Sequence, residues 1–196
     1  MENTFLPLIF RMKHINRWSL MYNTQQEDLM QHTMECAFIT NYLTIIGNRY
    51  FGKNYDVNKL TVCALFHDIT EVLTGDMPTP VKNFNDEIRN IYKQIEKTAA
   101  ERLKSHLPRD LINDYNVYLD GSKLSDEERK VIKISDKLCA LIKCIQEINA
   151  GNKEFITAYN GIQRDLENIE SDELKYFLEH CLASFSLSLD DIKGTL

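Results

Sequence analysis

Two histidines and two aspartates could together bind a metal ion: His32, the adjacent pair His67 and Asp68, and Asp136. Imidazole nitrogens and carboxylate oxygens in one ligand set suit Mn, Fe, Co or Zn better than Ca or Mg. Such a set leaves coordination positions open for water and substrate, as Lewis-acid catalysis requires. Taken singly, each residue has an ordinary explanation, because inward histidines are usually hydrogen-bonded core residues and inward aspartates often cap loops. The prediction of a metal site therefore depends on the elements that carry these residues.

Both histidines fall on the apolar faces of predicted helices. Apolar residues at alternating steps of three and four predict a helix over about residues 27–47. Its inward positions are Leu29, His32, Cys36, Ile39, Leu43 and Ile46. Asp56 can cap the next helix, on which Leu60, Ala64, His67 and Glu71 share one face at steps of four, three and four. Both imidazoles are thus expected to face the interior.

Asp136 lies within a third predicted helix, which begins at a capping box of Ser125 and Glu128 and ends near residue 149. Its apolar positions are Val131, Ile132, Ile134, Leu138, Cys139, Ala140, Leu141 and Ile145. A carboxylate buried among such residues needs a cation, a set of hydrogen-bond donors or a proton. The residues alone leave these three possibilities open. Helices that carry His32, His67, Asp68 and Asp136 can nevertheless converge in the core of a bundle.

The rest of the chain also indicates helices. They are predicted at residues 3–13, 85–105, after Pro108, and at 154–167 and 171–184, with a helix-breaking loop at residues 74–80 that contains Gly75, Pro78 and Pro80. Gly151 fits a helix stop. With no sustained apolar and polar alternation, repeat or linker, the expected fold is all-α, a single-domain helical bundle spanning residues 1–196.

The net charge of −6 argues against a nucleic-acid polymer as partner, because such binding depends on Lys and Arg. A small anion at a local positive site stays compatible with it. No apolar stretch reaches the length of a membrane span, so no membrane partner is expected. The N-terminal segment is a poor signal peptide, and the five cysteines form no C-x-x-C pair. A cytoplasmic location is therefore expected.

The order His32, His67-Asp68, Asp136 resembles the pattern H…HD…D of the HD-domain phosphohydrolase superfamily. Four segments look more specifically like its bacterial 5'-deoxynucleotidase branch: INRWSLM at 15–21, HDITEVLTGDMPTPVK at 67–82, SDKLCALIKC at 135–144 and FSLSLDDI at 185–192. The resemblance covers essentially the whole chain. It implies a helical bundle of the HD-domain type, a homodimer, and His32, His67, Asp68 and Asp136 as ligands of one divalent transition metal ion, Co, Mn, Fe or Zn.

The resemblance also implies roles around this metal. Arg17 would orient the phosphate, and Trp18 would lie against the sugar and leave no room for a 2'-hydroxyl. The expected nucleotide contacts are Arg17, Trp18, His32, Asp68, Asp76, Met77, Pro78, Thr79 and Asp136, with Thr79 near the phosphate and Asp76 near the scissile bond. Glu71 and Asp76 are the candidate acid and base. From the residues alone, Asp76 fits a turn residue better than a catalytic one. Arg17 with Trp18 fits a packed aromatic beside a solvated cation about as well as a nucleotide contact.

Two positions depart from the family pattern: Gln31 replaces a frequent Glu, and Lys137 replaces a neutral residue. On a helix, Lys137 lies about 100° from Asp136 and should point outward. The expected reaction is hydrolysis of a deoxyribonucleoside 5'-monophosphate to the deoxyribonucleoside and phosphate, by direct attack of a metal-activated water. The alternatives are an HD phosphohydrolase that acts on a cyclic nucleotide, a triphosphate or an alarmone, and a catalytically silent nucleotide-binding module.

Overall fold

The computed structural model describes residues 3–82, 84–121 and 123–192, and within these ranges the chain forms helices and no strand. The α-helices are α1 (Phe5–Ile9), α2 (Leu29–Tyr50), α3 (Val57–Leu65), α4 (Glu71–Thr74), α5 (Thr79–Lys82), α6 (Asp86–Lys104), α7 (Ile112–Leu119), α8 (Asp126–Asn149), α9 (Ile156–Glu167) and α10 (Asp172–His180). Short 3-10 helices cover Phe10–His14, Lys153–Phe155, Leu182–Ser186 and Leu189–Asp191. The prediction of an all-α bundle is confirmed.

The long helices α2 and α8 form the centre of the main core, and α3, α9 and α10 pack around them. Fully buried side chains of this core are Cys36, Leu43, Leu60, Ala64, Leu138 and Leu141. A second core joins the N-terminal segment to α6 and α7 through Phe5, Met12, Leu29, Ile69, Leu103, Leu107 and Leu119. The first turn of α2 lies between the two cores, so a residue there is held from both sides.

Helix starts follow the capping residues in the sequence. The Asp56 side chain accepts from the amide of Lys59 at 3.0 Å, and so begins α3. Ser125 and Glu128 form the predicted capping box at the start of α8. Each such cap satisfies amides that the helix itself leaves without a partner. The predicted starts of these two helices are confirmed.

Several predicted boundaries were wrong. The N-terminal helix becomes 3-10 after Ile9, and α2 continues past Gly47 to Tyr50. The predicted break after α4 occurs at Gly75, which has a φ of 74°, but residues 79–82 then form the short helix α5 instead of a loop. Proline is tolerated in the first turn of a helix, where its missing amide has no intrahelical partner, and this explains Pro80 in α5.

No helix in the described ranges combines the length and hydropathy that crossing a membrane requires.

Candidate metal centre

The four predicted ligands converge at one point. His32 Nε2 lies 3.2 Å from Asp136 Oδ1, 3.5 Å from Asp68 Oδ2 and 3.3 Å from His67 Nε2. His67 Nε2 lies 3.0 Å from Asp68 Oδ2 and 4.0 Å from Asp136 Oδ1. Ligands of one transition metal ion are at most about 4.4 Å apart, because each bond measures about 2.0–2.2 Å. The donor atoms are thus spaced as ligands of a single ion would be.

The other ring nitrogen of each histidine faces an acceptor. His67 Nδ1 lies 2.7 Å from the carbonyl oxygen of Ala64 and donates to it. His32 Nδ1 faces Glu27 Oε1 at 3.5 Å. Metal-binding histidines usually place their second nitrogen against a carbonyl or a carboxylate, which fixes the ring and leaves the first nitrogen's lone pair for the metal. Both Nε2 atoms therefore have the orientation that metal ligands need.

His67 and Asp68 do not lie on α3, which ends at Leu65; the predicted continuous helix from residue 57 to Glu71 was wrong. The chain instead tightens, because the amides of residues 66, 67, 69 and 71 each bond to the carbonyl three residues earlier. Three residues per turn replace 3.6 in such a segment. This tight turn brings the adjacent side chains of His67 and Asp68 to the same point, where Nε2 and Oδ2 lie 3.0 Å apart.

The cluster is electrostatically prepared for a cation. Burial alone would raise the pKa of Asp68, but His67 and His32 hold that pKa well below its usual range. Burial would likewise lower the pKa of His67, but Asp68 and other neighbouring acidic groups hold it well above its usual value. Two carboxylates thus attract positive charge to a point where both imidazoles also present nitrogen. A divalent ion fits this donor set.

Asp136 was predicted to be buried, yet its side chain is 42% exposed. The reason is a cavity of about 650 Å³ that opens onto the cluster between α3, α6, α7 and α8. His67, Asp68 and Asp136 are among the residues that line this cavity. Lys137 points away, as predicted, and pairs with Asp165 of α9 at 2.6 Å. The cluster is therefore accessible from solvent.

Arg17 reaches the cluster from the loop that precedes α2. Its Nη1 lies 3.5 Å from Asp68 Oδ2 and its Nη2 lies 3.9 Å from Asp136 Oδ1. Its Nε lies 2.9 Å from Glu27 Oε1. Glu27 is itself buried and faces both Arg17 and His32, a role that the sequence did not reveal. Its position one residue before the Asp28 cap of α2 gives no periodic signal.

Trp18 is the residue with the least favourable backbone conformation. Its φ is +56°, the only positive value outside glycine in the described ranges, and bulky side chains rarely adopt this region. Its ring packs against Phe155, with ring centroids 5.3 Å apart. Its indole Nε1 is buried and donates to no described residue. Such strain persists where the surroundings enforce it, and it concentrates at functional sites.

Glu71 and Asp76 lie close enough to Arg17 and Asp68 to interact with them electrostatically. Glu71 begins α4 and is buried, and its Oε2 has no partner among the described residues. Burial, with Asp68 and Asp76 nearby, raises the pKa of Glu71 to about 9. Burial also raises the pKa of Asp76, against the effect of Arg17. Met77, Pro78 and Thr79 make no hydrogen bond or ion pair to the four predicted ligands in the described structure.

Comparison with known proteins agrees with this geometry. The sequence profile of the family described as 5'-deoxynucleotidase YfbR-like matches residues 4–185. A 5'-deoxynucleotidase of Pectobacterium atrosepticum is 42% identical over 191 residues, which is 97% of this chain and 96% of that protein. A 5'-deoxynucleotidase of Yersinia pestis is 42% identical over 188 residues, 96% of this chain and 95% of the relative.

Solved structures show the same fold. An HD-domain phosphohydrolase from Listeria innocua superposes with a TM-score of 0.82 at 25% identity, covering 93% of this chain and 88% of that one. A cyanophage S-2L HD phosphohydrolase, bound to dA and one catalytic Zn²⁺ ion, superposes with a TM-score of 0.65 at 18% identity, covering 94% and 99%. The matched profile, the full-length relatives and the converging H…HD…D ligands lead to one conclusion: the chain belongs to the YfbR-like 5'-deoxynucleotidase family of HD-domain phosphohydrolases.

Proposed function

We propose that this protein hydrolyses deoxyribonucleoside 5'-monophosphates to deoxyribonucleosides and phosphate. The observation that carries this proposal is the convergence of two imidazoles, two carboxylates and the Arg17 guanidinium at one solvent-accessible point. A phosphomonoester brings negative charge and oxygen acceptors, and these are what a metal ion and an arginine bind best. Full-length similarity to relatives named 5'-deoxynucleotidase supports the same substrate class.

His32, His67, Asp68 and Asp136 would hold one divalent transition metal ion. When bound, the ion supplies Lewis acidity, which activates water and neutralises charge on the phosphoryl group. The mixed nitrogen and oxygen donors accept Co, Mn, Fe or Zn. The Zn²⁺ of the cyanophage neighbour is compatible with this range without selecting a member of it.

Arg17 would bind the phosphate. Its two Nη atoms face the cluster while its Nε faces Glu27 at 2.9 Å, so the guanidinium is held at its inner edge and presents its outer edge. A guanidinium donates two parallel hydrogen bonds to a phosphate oxygen pair. We expect Arg17 to fix the orientation of the phosphate and to stabilise charge on its oxygens during reaction.

Trp18 would form the wall against the sugar. Its backbone φ is unfavourable, so the surroundings must enforce this conformation. The Trp18 ring packs on Phe155, and this contact limits how far the ring can withdraw. A fixed aromatic face at C2' leaves room for hydrogen but excludes a hydroxyl, which is the proposed basis for preferring deoxyribose. Asp76, Met77, Pro78 and Thr79, which follow α4, would complete the nucleotide site, together with the ligand residues His32, Asp68 and Asp136.

Glu71 and Asp76 would exchange protons with the reacting groups. We assign the proton donor to Glu71, because its carboxyl is more buried and its Oε2 has no internal partner among the described residues. A carboxylic acid in such surroundings keeps its proton near neutral pH and can deliver it to the departing 5'-oxygen. Asp76, beside Arg17, would accept a proton or orient the water.

We also propose that the protein is a homodimer. Helix α2 carries an exposed apolar row, Met34, Phe38, Tyr42 and Ile45, at steps of four, four and three. Phe38 is 69% exposed, and a contiguous apolar row of this kind is typical of a surface that another chain covers. A cytoplasmic location is proposed as well, because the five cysteines are free thiols.

The proposal is tested by phosphate release from dAMP and AMP, measured side by side with metal-stripped protein that is resupplied with Co, Mn, Mg or Zn. We expect metal-dependent turnover of dAMP well above AMP, and none in Asp68→Ala. Cyclic, triphosphate and alarmone nucleotides belong in the same panel. Faster release from one of these would transfer the assignment to that substrate, and equal rates for dAMP and AMP would reject the role of Trp18.

A further inference from the structure

The loop that carries Arg17 and Trp18 is attached to α8 through one buried carboxylate. Glu147, close to the C-terminal end of α8, is 1% exposed. It accepts hydrogen bonds from the Thr24 amide at 2.9 Å, the Thr24 hydroxyl at 2.7 Å and the Gln25 amide at 3.2 Å. Lys143 Nζ donates to it at 2.6 Å and Asn152 Nδ2 at 2.9 Å. A carboxylate has about four lone-pair sites, so this one is fully used.

Lys143 and Asn152, the partners of Glu147 that lie outside the loop, also bind the loop directly. Asn152 Nδ2 donates to the carbonyl of Tyr22 at 2.8 Å, and Lys143 Nζ donates to the carbonyl of Gln25. Residues 22–25 form no helix, so their backbone groups depend on such side chains for hydrogen bonds. The amides of Thr24 and Gln25 and the carbonyls of Tyr22 and Gln25 thus all attach to one cluster at the end of α8. We call it the Glu147 cluster; its members are Lys143, Glu147 and Asn152.

The same cluster supports Trp18 from two directions. The Trp18 carbonyl accepts from the Met21 amide at 2.9 Å and from Asn23 Nδ2 at 3.1 Å, which ties it to the anchored part of the loop. The Trp18 ring packs on the Phe155 ring. Lys143 Nζ lies 5.8 Å from the centre of the Phe155 ring. A positive φ at a tryptophan requires surroundings that enforce it, and these contacts provide them.

We propose that the Glu147 cluster positions Trp18 and thereby sets the discrimination between deoxyribose and ribose. The role in specificity rests on the proposed deoxynucleotidase function. A 2'-hydroxyl is excluded only if the aromatic wall stays in place, because a withdrawal of about 1 Å already changes reaction rates by roughly 10²-fold in well-fitted sites. Glu147 touches neither the metal ligands nor Arg17 in the described structure, so it acts through the loop.

Trp18 is the single tryptophan of the chain, so its fluorescence reports the loop without any substrate or metal. In Glu147→Ala we expect a shifted emission maximum and greater quenching by acrylamide than in the native protein. Asn152→Ala removes the bonds to the Tyr22 carbonyl and to Glu147, and also the cap in which Asn152 Oδ1 accepts from the Glu154 amide. It keeps the Glu147 carboxylate with its bonds from Thr24, Gln25 and Lys143, so it should show the same changes to a smaller degree. Because Asn152→Ala is the milder substitution, it still tests the proposal if Glu147→Ala fails to fold.

The second measurement is the ratio of kcat/KM for dAMP to kcat/KM for AMP. We expect this ratio to fall on the order of tenfold in Glu147→Ala and less in Asn152→Ala. Glu173→Ala is the matched control: it removes another buried carboxylate, one that accepts from Tyr55 and Ser171 beside Gly47 of α2. It should leave the ratio and the fluorescence unchanged.

The outcomes separate this proposal from the function on which it rests. Unchanged fluorescence and an unchanged ratio in both loop variants would overturn the positioning role. An equally large fall of the kcat/KM ratio in Glu173→Ala would also overturn the positioning role, because the effect would then come from general destabilisation. If the native protein turns over no deoxyribonucleotide, the proposed function fails, while the fluorescence still tests whether the Glu147 cluster holds Trp18.

Discussion

At the scale of single residues, Glu27 lies behind two side chains of the site, 3.5 Å from His32 Nδ1 and 2.9 Å from Arg17 Nε. Replacing it with glutamine removes the negative charge that both groups face. We expect Glu27→Gln to weaken metal binding by about 10- to 100-fold, the usual effect of losing a carboxylate behind a histidine ligand. Competition with a chromophoric chelator measures this affinity.

The control for Glu27→Gln is Glu35→Gln in the nearby helix α2. The Glu35 carboxylate accepts from Gln31 at 3.1 Å on the outer surface and should not affect the metal. Equal affinities of the native protein and Glu27→Gln would contradict the role assigned to Glu27.

Glu147 makes stability depend on pH. Burial opposes its ionisation, but hydrogen bonds from Lys143, Asn152 and Thr24 hold its pKa well below its usual value of 4.5. A carboxyl whose pKa is depressed on folding stabilises the protein above its unfolded pKa, and this contribution is lost as the pH falls below that value. We expect Glu147→Gln to lower the free energy of unfolding by about 3 kcal/mol at pH 7 and by progressively less below about pH 4.5.

Chemical denaturation of the metal-stripped native protein and of Glu147→Gln, at pH 7 and in steps down to pH 3, measures this difference. A difference that stays constant across the range would show that the carboxylate charge is not what stabilises the loop.

The sequence predicted as metal ligands the four residues that the structure brings together, but it did not point to Glu27 or Glu147. The ligands lie on periodic apolar faces or in family motifs, where a histidine or aspartate is conspicuous. A glutamate next to a helix cap or near a helix end resembles an ordinary solvated charge. The loop partners of Glu147 lie more than a hundred residues away in the sequence, as Thr24 does, so only the folded arrangement reveals its role.

At the scale of elements, Gly47 in α2 allows a close approach. A Cβ at this position would lie 2.7 Å from Tyr55 Cε2 and 2.9 Å from Glu173 Oε1. We expect Gly47→Ala to destabilise the protein by about 1–3 kcal/mol, the range found for overpacked sites. Gly161→Ala in α9 is the comparison, because its Cβ would meet nothing within 4 Å, and it should stabilise by about 0.5–1 kcal/mol. Thermal unfolding of both variants measures these changes in stability. If both variants were more stable than the native protein, the close approach at Gly47 would be contradicted.

The sequence located the helices better than their ends. Gly47 looked like a helix terminus, because glycine is common after the last turn, but here it serves packing inside α2. The end of α3 at Leu65 was hidden for a different reason. Steps of three and of four both place His67 on the inner face, so periodicity could not distinguish a continued helix from the tight turn that brings Asp68 beside it.

At the scale of the whole molecule, the exposed row on α2 should determine the assembly. We expect the native protein to be dimeric and Phe38→Glu to be monomeric, since a charge at the centre of an apolar interface is costly to bury. Light scattering after size-exclusion chromatography gives the masses. A monomeric native protein would exclude the dimer. A dimer that persists in Phe38→Glu would place the interface on another surface.

The all-α bundle followed from composition and periodicity, and the resemblance supplied its HD-domain type. Neither predicted the cavity of about 650 Å³ beside Asp136, because its walls come from four separate helices whose relative placement no local pattern encodes. The exposure of Asp136 was missed for this reason. The position of the site between the two cores likewise depends on tertiary packing.

The central claim is that one metal ion, held by His32, His67, Asp68 and Asp136, enables phosphate release from a deoxyribonucleoside 5'-monophosphate. The most direct test adds Co²⁺ or Mn²⁺ stepwise to metal-stripped protein while metal bound per chain and phosphate released from dAMP are measured on the same samples. We predict that both rise together and stop rising at one ion per chain, and that Asp68→Ala loses both. Full activity without metal, or tight metal binding retained in Asp68→Ala, would contradict the claim.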